Sequence, residues 1–121
     1  MSGRKLRWLL MANSLNARIY QRTNTIAQGD TASTIQIELL DHNLMNVSYL
    51  DGSTAKVNLV RNGEIEHSFN VRLFYQLLEF NLPSTISAGT YTVSIVINQH
   101  DETYVFPSSQ DLKIHVIKSY L

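Results

Sequence analysis

The sequence predicts an all-β domain, and two features of the chain lead to this prediction. Apolar and polar residues alternate over short stretches, and residues typical of turns separate these stretches. Because successive side chains of a strand point to opposite faces, each apolar set lies on one face and packs against a shared core. The apolar sets are Ile35, Ile37, Leu39; Ala55, Val57, Leu59; Leu78, Phe80, Leu82; Tyr91, Val93, Ile95, Ile97; Tyr104, Phe106; and Leu112, Ile114, Val116.

About seven or eight strands with short connections are predicted, and no long helix. The first strand is expected to run from Asn16 to Ile26 and to end at the turn residues Gln28, Gly29 and Asp30. The later strands are predicted over residues 33–40, 54–60, 65–71, 78–82, 91–98, 103–106 and 112–118.

The stretch before residue 83 admits two interpretations. Leu73, Leu77 and Phe80 match the spacing of a helix, but Phe80 also alternates with Leu78 and Leu82. The alternation favours a strand, because the run ends without a helix cap.

Four turn signals divide the predicted strands. Asn62 and Gly63 form the strongest of them, because both residues tolerate the positive φ that a two-residue hairpin requires. Pro83 ends the fifth strand, Gly89 permits the turn into the sixth, and Pro107 separates the last two.

A tyrosine near the start of the sixth strand refines the prediction. Leu82 and Pro83, followed by Gly89, Thr90 and Tyr91, resemble the tyrosine corner of β-sandwiches, in which a Tyr hydroxyl bonds to backbone a few residues upstream. The sequence therefore predicts an antiparallel sandwich of the immunoglobulin or fibronectin kind.

Length and composition are those of one packed domain. The chain has 121 residues, of which 44% are hydrophobic and 17% charged, so it can bury a substantial core. We expect one domain over residues 16–121, preceded by a flexible or docking segment over residues 1–15.

The charge distribution is uneven although the formal net charge is zero. Arg4, Lys5 and Arg7 are basic residues of the N-terminal segment, and residues 11–121 carry seven basic and ten acidic side chains. Such a body repels nucleic-acid phosphates, and we expect neither a nucleic-acid nor a membrane partner. The absence of cysteine excludes disulfides and thiolate chemistry, which fits folding in a reducing cytoplasm.

No reactive set of residues is apparent, so no catalytic, cofactor or metal site is predicted. The adjacent residues His100, Asp101 and Glu102 lie in a predicted loop, where their side chains diverge and cannot close a coordination sphere. The chain contains neither a Gly-x-Ser-x-Gly elbow nor a glycine-rich phosphate loop. We expect a protein that is not an enzyme.

Aromatic residues leave a second function open. Trp8, Tyr20, Tyr49, Tyr75 and Tyr104 would form a saccharide-binding platform if several were exposed on one side. A carbohydrate-binding module, or a general cell-surface adhesion domain, is therefore the alternative function. The apolar run from Trp8 to Met11 lies outside the strand pattern, and if ordered it docks on its own domain or on a neighbour.

Five short motifs carry a resemblance to a known family. Their order and spacing, from about Asn16 to Tyr120, are similar to those of the N-terminal domain of the baseplate upper proteins of tailed phages and prophages of Gram-positive bacteria. The motifs are Gly29-Asp30-Thr31-Ala32, Asn62-Gly63, Phe80-Asn81-Leu82-Pro83, Ala88-Gly89-Thr90-Tyr91 and Val105-Phe106-Pro107-Ser108.

The resemblance implies a structural role in the virion tail baseplate. In such phages the upper protein links the tail-tip hub to receptor-binding proteins, so the implied partners are other baseplate proteins, with a homo-oligomer as an option. The sequence departs from the family in having no heptad segment after the sandwich, so the adhesin-holding part is not implied. We predict that the two chain ends contact neighbouring subunits, through Trp8, Leu9, Leu10, Ile117, Tyr120 and Leu121.

Overall fold

The structure of the chain is a computed structural model that describes residues 15–20, 24–41 and 47–119. Within these ranges the chain forms nine strands and one short 3-10 helix, and none of these residues is α-helical. The predicted all-β class is confirmed. The strands are β1 (Asn16–Ile19), β2 (Thr25–Ala27), β3 (Thr34–Leu40), β4 (Thr54–Arg61), β5 (Glu64–Arg72), β6 (Leu77–Asn81), β7 (Gly89–Gln99), β8 (Glu102–Phe106) and β9 (Lys113–Ile117), with the 3-10 helix at Ser48–Leu50.

The strands form two sheets. The smaller sheet has three strands in the order β1-β3-β6, and the larger has six, in the order β2-β9-β7-β4-β5 with β8 paired to β7. Strand β7 is central, because it pairs with β4 on one side and with both β8 and β9 on the other.

One hydrophobic core joins the two sheets. It contains the alternating residues of β3, β4, β6, β7 and β9, as the period-two pattern predicts. Tyr91, Val93, Ile95 and Ile97 of β7 are all 0% exposed. Burial of this kind stabilises the fold by about 1.5–3 kcal/mol for each large apolar side chain.

The first predicted strand is wrong in one respect, because the structure divides it into two. Strand β1 pairs with β3 in the smaller sheet, whereas β2 pairs with β9 in the larger one. The side-chain amide of Asn24 donates to the backbone carbonyl of Lys113 at 3.0 Å, and the backbone carbonyl of Asn24 accepts from the amide of His115 at 2.8 Å. These two hydrogen bonds attach the start of β2 to the larger sheet.

This division accounts for two further differences from the prediction. The described residues form nine strands rather than the predicted seven or eight. The pairing of β2 with β9 is parallel, whereas the prediction is an antiparallel sandwich. The pairs of the other strands are antiparallel among the described residues.

Two local predictions in the middle of the chain, one turn and one strand, are confirmed. Asn62 and Gly63 connect β4 to β5 with φ of 55° and 76°, the positive values that a two-residue hairpin requires. The contested stretch contains strand β6, in which Leu78 and Phe80 are buried and Glu79 is exposed.

The two prolines lie at the predicted connections. Pro83 follows β6, and its carbonyl accepts a hydrogen bond from the amide of Ile86 at 3.3 Å. Pro107 follows β8 after a cis peptide bond with Phe106, and its carbonyl accepts from the amide of Gln110 at 3.1 Å. Both residues therefore begin turns that leave a strand.

The tyrosine-corner hydrogen bond is present. The buried Tyr91 hydroxyl donates to the carbonyl of Ser87 at 2.7 Å, four residues upstream. Burial raises the pKa of this hydroxyl above its ordinary value. The bond attaches the connection after β6 to the first turn of the central strand.

Arg61, at the end of β4 in the same sheet, contacts this tyrosine corner. Arg61 lies 5.1 Å from the centroid of the Tyr91 ring, donates to the carbonyl of Ala88 at 3.0 Å and forms an ion pair with Glu66 at 2.7 Å. Gly89 has φ of 151°, and a Cβ there would lie 2.7 Å from Nη1 of Arg61. The backbone conformation therefore favours glycine at this position, whereas the guanidinium is the end of a flexible side chain and can shift to admit a Cβ.

Among the described residues, no helix is long and apolar enough to cross a membrane.

We expect the Tyr91→Phe variant to lose about 1–2 kcal/mol of unfolding free energy, because a largely buried hydrogen bond to the Ser87 carbonyl disappears. The matched control is Tyr75→Phe, since Tyr75 is 84% exposed and should change stability by less than about 0.5 kcal/mol. Urea unfolding of both variants provides the measurement. Equal losses in the two variants would contradict a stabilising role for the corner bond.

Candidate protein-interaction surface

The structure describes one of the six residues predicted to contact neighbours. Ile117 lies at the end of β9 and is 53% exposed, beside Ala27 of β2. The other five residues lie outside the described ranges; they are Trp8, Leu9, Leu10, Tyr120 and Leu121. Their predicted role stays a prediction.

A more extensive surface lies where β5 and β6 face each other. Strand β5 pairs only with β4 and β6 only with β3 among the described strands, so each is a sheet edge. The two edges flank an open groove of about 550 Å³. We call this region the seam and define its apolar lining as Phe69, Val71, Phe74, Leu77 and Phe80.

Aromatic stacking forms the floor of the seam. The rings of Phe69 and Phe80 stack with centroids 5.4 Å apart and an interplanar angle of 25°. Phe80 is 7% exposed, and Phe69 is partly buried against the core. The floor is therefore rigid, because its side chains belong to the core of the domain.

A tight turn projects from one end of the seam. Phe74 and Leu77 exchange backbone hydrogen bonds at 3.1 and 2.9 Å, and the two residues between them, Tyr75 and Gln76, have φ of 51° and 59°. Non-glycine residues rarely adopt such values, and a bulky one at positive φ is a true outlier. Phe74 is 56% exposed and Tyr75 is 84% exposed, so the turn presents two aromatic rings to solvent.

Polar contacts hold the base of this turn. The amide of Gln76 donates to Oδ1 of Asp51 at 3.1 Å, and its carbonyl accepts from the amide of Leu39 at 3.0 Å. The Gln76 side chain donates to Oε2 of Glu38 at 2.9 Å, and Arg18 bonds the other oxygen of Glu38 at 2.6 Å. Phe74 and Tyr75, which we call the aromatic tip, are therefore exposed on a backbone that hydrogen bonds hold in place.

Charges lie at the two ends of the β5 edge. Glu64 is the first residue of the strand and Arg72 the last. The Arg72 guanidinium lies 5.6 Å from the centroid of the Phe74 ring, and its Nε donates to the carbonyl of Gly52 at 3.2 Å. The edge therefore has a negative end and a positive end, and the positive end adjoins the exposed aromatic tip.

The aromatic residues proposed for a saccharide platform are divided between two places. Tyr49 and Tyr104 contact each other with ring centroids 6.1 Å apart, whereas Tyr75 belongs to the tip of the seam. The Tyr104 hydroxyl donates to Glu102 at 2.7 Å, and this hydrogen bond raises the pKa of Tyr104 to about 12. Tyr20 is partly buried, and Trp8 lies outside the described residues.

The ionisable residues show ordinary structural contacts. The His67 ring lies against Tyr91 with centroids 6.2 Å apart, and Nδ1 of His115 is 2.9 Å from the hydroxyl of Thr90. His100 and Asp101 form the turn between β7 and β8. Within the described residues, no three His, Cys, Asp or Glu side chains are grouped in a way that could hold a metal ion.

A scan of the chain against protein-family models finds no match, and a comparison with curated proteins finds none either.

Neither the exposure of Phe74 nor the turn at residues 74–77 is predicted from the sequence. A Tyr-Gln pair at positive φ has no sequence signal comparable to Asn-Gly, since neither residue favours that conformation. The available signal was indirect: Phe74 and Tyr75 precede the alternating run without belonging to it.

We expect the Tyr75→Gly variant to gain up to about 1 kcal/mol of unfolding free energy, because glycine removes the strain of positive φ while the lost ring is almost fully exposed. Ile65→Gly is the control. Ile65 is also exposed, at 58%, but lies in a regular strand, where glycine should cost about 0.5–1 kcal/mol. Chemical unfolding measures whether each variant gains or loses unfolding free energy. A clear loss of unfolding free energy in Tyr75→Gly would show that the ring itself stabilises the fold.

Proposed function

We propose that this chain is a non-enzymatic assembly module of a phage or prophage tail baseplate, linking the tail-tip core to receptor-binding proteins. The order of the five motifs from Gly29 to Ser108 supports this proposal. The observation that carries it is the seam, in which two sheet edges that pair with no further described strand, together with the exposed rings of Phe74 and Tyr75, surround an apolar groove.

The proposal includes a β-sandwich of the immunoglobulin or fibronectin kind. Three strands face a larger sheet whose central path is β9-β7-β4-β5, and both layers contribute to one core. This arrangement and the Tyr91 hydroxyl bond to Ser87 support the assignment. A rigid sandwich suits a connecting role, because its edges and loops keep their relative positions when a partner binds.

The occupant proposed for the seam is an extended segment of a neighbouring baseplate subunit. Such a segment would add to the β5 edge as an antiparallel strand and place one apolar side chain in the groove, against the stacked rings of Phe69 and Phe80. The nine residues of β5 offer an edge of roughly 30 Å for this pairing. Unpaired edge amides and carbonyls supply the affinity, and the groove supplies the specificity.

The charges of β5 define the chemistry of that segment further. An antiparallel partner fits best with a basic residue opposite Glu64 and an acidic residue opposite Arg72. The exposed tip then packs on the partner near its acidic end. Aromatic residues with an adjacent arginine are typical of the residues that contribute most to protein interfaces.

A saccharide-binding role is the second candidate, and the exposure of Phe74 and Tyr75 favours it. Exposed rings beside the polar side chains of Arg72 and Glu79 are chemically suited to stack on a sugar. This function requires no second protein. Direct binding of purified cell-wall polysaccharide, abolished by Tyr75→Ala, would support it in place of the assembly role.

The assembly proposal is tested in the bacterial strain that carries the gene. We expect mass spectrometry of its purified, tail-bearing particles to detect this chain, and antibody labelling to locate it at the tail tip. The Phe74→Glu variant should be lost from the particles, because it places a charge in the apolar groove of the seam.

The matched control is Tyr49→Glu, which changes an aromatic residue of similar exposure, 53% against 56%, away from the groove lining. This variant should be incorporated like the unmodified chain. Particles that never contain the chain would refute the baseplate role, whereas normal incorporation of Phe74→Glu would refute the seam as its interface.

A further inference from the structure

The seam presents both halves of an aromatic contact on one surface. The aromatic tip projects at one end, where the rings of Phe74 and Tyr75 are exposed. The stacked rings of Phe69 and Phe80 form the floor of the groove. A surface that carries both a projection and a groove fits a second copy of itself, because a two-fold axis brings each projection to the groove of the other copy.

The tip and the stacked floor lie at different ends of the seam. Arg72 ends β5 next to the tip, and its guanidinium is 5.6 Å from the centroid of the Phe74 ring. Phe69 lies three residues before Arg72 on β5. Phe80 lies three residues after Leu77, whose backbone closes the turn of the tip. The floor is therefore roughly 10 Å from the base of the tip along the strands.

The groove also carries one charge of each sign, and the two charges follow the same polarity. Arg72 lies at the tip end, whereas Glu79 adjoins Phe80 at the floor, and both charged residues line the groove. Both are exposed, and neither forms an ion pair within the described part of the chain. Two copies in antiparallel orientation bring Arg72 of each copy to Glu79 of the other, so the seam is complementary to itself in charge.

The backbone of the tip is held in an unfavourable conformation. Tyr75 and Gln76 have φ of 51° and 59°, and Gln76 is bonded to Asp51 and Glu38. The exposed Tyr75 ring takes no part in these bonds. Backbone strain that presents a side chain to solvent, without a stabilising contact for that side chain, is typical of binding surfaces.

The area of the tip and groove suits a weak dimer. A fully covered aromatic side chain buries roughly 150–250 Å². Two tips supply four rings, and the groove walls that they cover lose a similar area, so the contact buries on the order of 1,000 Å² in total. This area is near the lower limit of specific interfaces, for which we expect a micromolar dissociation constant.

We infer that two copies of this chain form a symmetric dimer through the seam. The aromatic tip of each copy packs on the Phe69 and Phe80 rings of the other, and Arg72 of each copy pairs with Glu79 of the other. The dimer covers sheet edges that are otherwise open to unwanted pairing. It does not depend on the baseplate role, since a baseplate partner that adds a strand to β5 would displace the second copy.

Measurement of molecular mass over a range of concentrations tests the dimer. In sedimentation equilibrium of the purified full chain, we expect the mass to approach twice 13.8 kDa at high concentration and to fall to 13.8 kDa on dilution. The Phe74→Glu variant should stay at the monomer mass. The control Tyr49→Glu, which changes an exposed aromatic residue outside the groove lining, should dimerise like the unmodified chain.

The charged pair allows a sharper test. Arg72→Glu and Glu79→Arg should each weaken self-association about tenfold or more, because like charges then meet at both contacts. An equimolar mixture of the two variants should form a mixed dimer, since opposite charges face each other again at both contacts. The control Lys56→Glu reverses an exposed charge of β4 outside the groove and should leave dimerisation unchanged.

Four results would overturn the inference. They are a monomer mass at every concentration, normal dimerisation of Phe74→Glu, a mixture of the two folded charge variants that stays monomeric, and growth beyond twice the monomer mass, because a two-fold contact closes. If Arg72→Glu does not fold, Glu79→Arg alone decides, and its normal dimerisation would also overturn the inference. None of these results bears on whether tail-bearing particles contain the chain, so a failure of the dimer is distinguishable from a failure of the proposed function.

Discussion

The fold depends on the burial of one complete face of β7. Tyr91, Val93, Ile95 and Ile97 are inaccessible to solvent, and the strand is paired along both of its edges. A strand in this position cannot shift its register by one residue without moving polar side chains into the core. Strands β4, β8 and β9 pair directly with β7, so their positions depend on it. Both sheets bury their inner faces in one core, and the exposed aromatic rings of the seam lie at sheet edges.

Much of this arrangement was predictable because it rests on local signals. The alternation of Tyr91 to Ile97 is visible in the sequence, and Asn62-Gly63 defines the hairpin without reference to any distant residue. The division into β1 and β2 was not predictable in the same way. It depends on Asn24 bonding to the backbone of Lys113 and His115, which lie about ninety positions away, and a parallel pairing with β9 has no local pattern of its own.

The surface features were harder to predict than the core. Hydrophobic periodicity reports which residues face inward, so it says little about Phe74 and Tyr75, whose exposure results from an unusual turn conformation. The seam also arises from the juxtaposition of two edges, β5 and β6, that belong to different sheets. The contacts predicted from the sequence lie instead at the two chain ends. Of those six residues, Ile117 is exposed and the other five lie outside the described residues.

We propose that the β5 edge pairs with a strand of a neighbouring subunit in an assembled particle. Hydrogen–deuterium exchange of this chain, compared between the isolated protein and purified particles that contain it, measures that pairing directly. Strand addition predicts slower exchange for outward amides of residues 64–72 and for the turn at residues 74–77, with unchanged exchange in β7, whose edges are already paired. Unchanged exchange in β5, with new protection confined to another surface, would contradict the claim.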